Sequence, residues 1–168
     1  MLSPEILPSL RSLTMCEVSA QRATRLHTAL LSILPQLHTL TVLDWHDWPE
    51  DALIHCTSLT TLRARLLCRI TPSPLTHDWP HCLPATLEAL TLITMCKRAC
   101  HRAACNAVDR TQQLVDMLAR EDALLPALQE VVVAGPVGTV TRAAQTTAAG
   151  LAAGRGVLVE WRADQGIE

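Results

Sequence analysis

The phrase Leu-Pro-x-Leu-x-x-Leu recurs along this chain, and that recurrence narrows the available folds more than any other feature. It stands at Leu7-Pro8-Ser9-Leu10-Arg11-Ser12-Leu13 and again at Leu34-Pro35-Gln36-Leu37-His38-Thr39-Leu40. Cys56-Thr57-Ser58-Leu59-Thr60-Thr61-Leu62 repeats it without the proline. Leu83-Pro84-Ala85-Thr86-Leu87-Glu88-Ala89-Leu90 carries one extra residue, and Leu125-Pro126-Ala127-Leu128-Gln129-Glu130-Val131 is the fifth version. A unit this short cannot hide its apolar stripe alone. Stacking such units side by side buries a continuous core, so repetition at this scale predicts a solenoid.

The aligned leucine, three residues before the end of each phrase, is Leu10, Leu37, Leu59, Leu87 and Leu128, spaced 27, 22, 28 and 41 residues apart. The first three spacings fall in the leucine-rich-repeat range of about 20–29 residues. The fourth reads as one unit with an insertion, around residues 94–106. A sixth, degenerate strand is expected at Val157-Leu158-Val159-Glu160-Trp161, with Val157 matched to Val131. Within a phrase, Leu10, Leu13 and Met15 alternate with Arg11, Ser12 and Thr14, and Leu37, Leu40 and Val42 with His38, Thr39 and Thr41. That alternation sends the leucines inward and the polar residues to the open side of a strand. The proline marks the turn into the strand, because it fixes φ and lacks a donor.

Helical patterns fill the gaps. Residues 19–34 place Ala23, Leu26, Leu30 and Ile33 on one stripe, and residues 106–125 do the same with Val108, Val115 and Leu118. Residues 139–153 are rich in alanine and end near Gly154, which reads as the C′ residue. Segments 45–56 and 68–82 hold Trp, Pro, His and Asp without a regular period and read as loops or short 3₁₀ turns. The expectation is a single α/β domain over residues 1–168. It is a short leucine-rich-repeat solenoid of five to six irregular strand–helix units, with a parallel sheet on its concave face.

Composition fits thin stacked layers. Hydrophobic residues make up 49% of 168, yet there is no Phe or Tyr and only four Trp, so Leu, Val and Ala must build the core. The net charge of −2 and pI near 6.4 supply no basic surplus to neutralise phosphates, which argues against nucleic acid as a partner. Apolar runs are broken well before the ~18 residues of a membrane span, so no membrane partner is expected. Seven cysteines in no secreted-scaffold spacing, and no signal-peptide pattern, predict reduced thiols and an intracellular location, cytoplasmic or nuclear.

Catalytic patterns are missing. There is no G-x-S-x-G elbow, no H-E-x-x-H and no full phosphate-binding loop; Gly135-Pro136-Val137-Gly138-Thr139 reads as a turn between units. No enzyme activity and no cofactor are expected. Cys96, Cys100, His101 and Cys105 are the residue types zinc takes, but structural zinc ligands usually pair about two to four residues apart in two separated clusters. They stand as an alternative metal site, or as thiols made reactive by Lys97, Arg98 and Arg102, against a plain reading as small thiols in an insertion. Trp48 and Trp79 sit in the related runs Asp47-Trp48-Pro49 and Asp78-Trp79-Pro80. Each reads either as a ring packed under its loop or as part of a binding rim.

The remaining candidates lie between the inward leucines. Arg11, His38, Thr41, Arg63, Arg65, Glu88 and Gln129 form a mixed, mostly polar surface suited to a protein partner. The five phrases and the helices between them resemble the leucine-rich repeats of large fungal and plant F-box proteins, across about Ile6 to Trp161. The end of the chain, a helix followed by Gly154-Arg155-Gly156 and Val157–Trp161, is similar to the close of basidiomycete F-box proteins. The resemblance implies substrate recognition for a ubiquitin ligase. It departs from the family in one respect. Ser3-Pro4-Glu5-Ile6-Leu7 resembles an F-box entry but runs straight into a repeat phrase. An adaptor role then requires an F-box outside this chain; the alternatives are a stand-alone repeat protein or a degenerate fragment without independent activity.

Overall fold

A computed structural model describes residues 10–15, 30–43, 50–67, 82–95, 114–118, 125–135 and 142–163. Six strands run through them: β1 (Ser12–Met15), β2 (Thr39–Val42), β3 (Thr61–Leu67), β4 (Ala89–Met95), β5 (Glu130–Gly135) and β6 (Leu158–Ala163). They form one α/β sheet in the order β1-β2-β3-β4-β5-β6, each strand parallel to its sequence neighbour. Parallel neighbours require a crossover that returns the chain to the same end of the sheet. Among the described residues of these crossovers, residues 114–118 are helical, Leu30 is helical, and helix α1 spans Arg142–Gly154. Leu34–Gln36 and Glu50–His55 are 3₁₀ helices, in keeping with the short turns expected near residues 45–56.

The register follows the leucines. Leu13, Leu40, Leu62, Leu90, Val131 and Val159 stand opposite one another across the whole sheet. Met15, Val42, Ala64, Leu92, Val133 and Trp161 form the next such row. Leu40, Leu62, Leu90 and Val131 have no exposed surface, and Leu37, Leu59 and Leu87, just before their strands, are equally buried. Each fully buried leucine contributes about 1.5–3 kcal/mol relative to exposure.

Before each of β2 to β5 the chain makes the same tight turn. The amide of Leu37 donates to the Leu34 carbonyl, Leu59 to Cys56, Leu87 to Pro84 and Leu128 to Leu125, at 3.0–3.3 Å. Pro84 therefore occupies the place that Leu34 holds in its unit, so the extra residue of the fourth phrase, Leu83, lies before the turn and not in the turn or the strand. One residue past each turn, a single carbonyl links two units. Arg11 O accepts the amides of His38 and Thr39, His38 O those of Thr60 and Thr61, Thr60 O those of Glu88 and Ala89, and Glu88 O those of Gln129 and Glu130. All eight bonds measure 2.8–3.0 Å.

The last unit departs from two expectations. Val131 pairs with Val159, not Val157. The shift is by two residues, so it leaves the faces of β6 unchanged. Its cause is the end of α1. Gly156, not Gly154, is the C′ residue: it has φ of +75°, its amide donates to Ala153 O, and Val157 donates to Ala152 O. This is the Schellman arrangement, which uses up orphan carbonyls and places Val157 in the core beside Ala152. Only glycine takes that φ without a Cβ penalty. Gly156→Ala is therefore expected to lower stability by about 1–2 kcal/mol, although open space surrounds the position. Gly150→Ala, inside α1 and equally open, is expected to raise it by about 0.5–1 kcal/mol. Urea unfolding of the two variants checks the opposite signs.

Candidate protein-interaction face

The strands bury one side and leave the other open. Along β1 to β3 the open side carries hydroxyls: Ser12, Thr39 and Thr61 in one row, Thr14 and Thr41 in the next, followed in register by Arg63. Thr91, Val132 and Glu160 continue that second row on β4 to β6. A third row holds Arg65, Ile93, Ala134 and Arg162. Small hydroxyl side chains suit these positions because β-branched residues pack well on a pleated surface and still present a polar group.

The residues singled out from the sequence divide between this face and its rim. Thr41, Arg63 and Arg65 come together on the face, with Arg63 exposed and the other two half-buried. Arg11, His38, Glu88 and Gln129 are exposed one step earlier, at the strand entries, where their carbonyls form the inter-unit links. His38 Nδ1 lies 3.0 Å from Gln36 O. A carbonyl can only accept, so Nδ1 carries the proton. Arg11 Nη1 reaches the same carbonyl at 3.5 Å and Gln36 Oε1 at 3.4 Å. These contacts hold two rim side chains across neighbouring units.

On the face itself, Arg65 Nε donates to Leu43 O at 2.7 Å, which orients its guanidinium. Arg63 forms no hydrogen bond or ion pair with a described residue. Glu160 is paired with Arg162 at 2.6 Å, and that bond holds its carboxyl below the usual carboxylate range. Ile93, Val132, Ala134, Leu158, Glu160 and Arg162 were not among the expected surface residues. The four apolar residues carry no polar group to mark an open face, and the β6 pair became assignable to rows only with its register.

Trp48, Trp79, Cys96, Cys100, His101 and Cys105 lie outside the described residues. Among the described residues no group of three or more His, Cys, Asp or Glu could hold a metal ion. No helix among them is long and apolar enough to cross a membrane. Cys56 is fully buried, its thiol 3.5 Å from Ala52 O, and burial pushes its pKa up to about 11. At neutral pH it stays protonated and is a packing residue, not a nucleophile. No family model, curated protein or solved structure matches the chain.

Proposed function

We propose that this chain is a non-catalytic protein-interaction module, built as a short leucine-rich-repeat solenoid whose concave side is the open face of the sheet. The observation that carries the reading is the pairing of repeated inter-unit links with an open face of hydroxyls and guanidiniums on β1 to β3. The links make successive units equivalent, and equivalent units set their outward side chains in regular rows. Such rows suit recognition of an extended surface. The carbonyls and amides beneath are already engaged in the sheet, so contact falls to the side chains. On the resemblance to F-box proteins, the cellular use of such a module is to recognise substrate for a ubiquitin ligase.

A photo-crosslinking residue placed at Thr41, Thr61 or Thr91 tests this against the same residue at Thr146 or Leu151 on α1. The strand positions should label one common protein in cells, and the helix positions should not. Equal labelling from both sides would overturn the reading.

A further inference from the structure

The open face is divided, and the division describes its partner. On β3, Arg63 and Arg65 stand two residues apart on the same side, about 6.6 Å along the strand. Their register neighbours are Thr41, Thr91 and Ile93, none of which carries charge. The carboxylates of the face lie elsewhere: Glu130 and Glu160 are on β5 and β6, where Arg162 pairs with Glu160 and also feels the field of Glu130. Glu88 is at the rim. Among the described residues, cationic charge on β3 is thus left without a facing anion.

Directly beside it the surface turns apolar. Ile93 follows Arg65 in its row, and Ala134 follows Ile93; Val132 follows Thr91 in the row of Arg63. Ile93 and Ala134 are half-buried, and Val132 is buried, with 6% exposure. Val132 belongs to neither apolar cluster on the other side of the sheet. The result is a shallow aliphatic seat on β4 and β5, flanked on one side by two guanidiniums.

Building on the interaction reading above, we propose that this face binds a protein segment in which an Asp or Glu stands two residues from a large aliphatic side chain. The carboxylate sits over Arg63 and Arg65, and the aliphatic group sits on Ile93 and Ala134, with the buried Val132 beside them. Strands are spaced about 4.8 Å apart, so a carboxylate over β3 and an apolar group over the β4–β5 boundary are about 7 Å apart. Side chains at i and i+2 of an extended segment supply that separation. Guanidinium favours carboxylate through paired, charge-assisted hydrogen bonds, and the adjoining aliphatic seat adds burial.

The test is a random-peptide display library selected on the full chain, followed by binding of a selected peptide to variants. Enrichment of Asp or Glu two residues from Leu, Ile or Val is expected. Arg63→Glu should weaken such a peptide at least tenfold, with unchanged thermal unfolding, and Arg63→Ser should weaken it less. Ile93→Thr should weaken it too, while Thr146→Glu on α1 should not. If Arg65→Glu fails to fold for want of its bond to Leu43 O, Arg63→Glu alone carries the charge test. Selected peptides that lack carboxylates, yet still lose affinity on Ile93→Thr, would overturn this partner class and leave the interaction face standing. Selected peptides indifferent to every substitution on the face would overturn both.

Discussion

Leu62→Ala is expected to cost about 3–4 kcal/mol of unfolding free energy, enough to remove a large share of a typical domain's stability. Leu62 has no exposed surface, and it stands between Leu40 and Leu90 in the central row. Truncation removes its transfer free energy and leaves a cavity whose walls belong to two other units. Those walls are tied to their own inter-unit links, so collapse into the gap is limited. The same change at Leu13 should cost less, below about 2 kcal/mol, because β1 lies at the sheet edge and Leu13 is only half-buried. Thr61→Ala, on the open side, should stay within about 0.5 kcal/mol. Urea unfolding of the three variants gives the order Leu62, Leu13, Thr61. Equal costs at Leu62 and Leu13 would contradict a core that thins toward β1.

The second large effect concerns Gly135, where alanine is expected to cost about 1–3 kcal/mol through overpacking. Thr94 is the only polar residue among the described residues that is buried; its exposure is 0%. Its hydroxyl donates to Ala134 O at 3.2 Å, which satisfies a group that would otherwise be stranded. A Cβ on Gly135 would overlap that hydroxyl and stand 3.1 Å from the Thr94 carbonyl. Glycine at the end of β5 is therefore a matter of space, not of φ. Thr94→Ala alone should cost about 1 kcal/mol for the lost bond. In that background Gly135→Ala should become milder by about 1 kcal/mol, the coupling expected of two residues that share one space. Strictly additive effects would show that the two positions do not meet.

Much of the sheet was legible from the leucines. Aligning Leu10, Leu37, Leu59, Leu87 and Leu128 sets Leu13 against Leu40, Leu62, Leu90 and Val131, which is the register found. Buried repeats leave that trace because each unit must offer its neighbour the same apolar row. The sixth strand was harder to place. Val157 looks like a strand residue in a list of letters, yet it is the C″ residue of a helix end that Gly156 creates. Nothing in the alternation of Val157-Leu158-Val159 separates the two roles. Gly135 likewise read as part of a turn, since its meaning depends on Thr94 in another unit. The rim and Arg63 could be picked out as polar positions between leucines. The aliphatic seat could not, because Ile93 and Val132 look like core until the faces of β4 and β5 are known.

The measurement that most directly tests the stacked order of units is methyl NMR of the Leu and Val side chains in the central row. Cross-peaks should join Leu13 to Leu40, Leu40 to Leu62, Leu62 to Leu90, Leu90 to Val131 and Val131 to Val159, and only those consecutive pairs. Strong direct contacts between non-consecutive members, such as Leu13 with Leu90 or Leu40 with Val131, would contradict this strand order and, with it, the proposed interaction face.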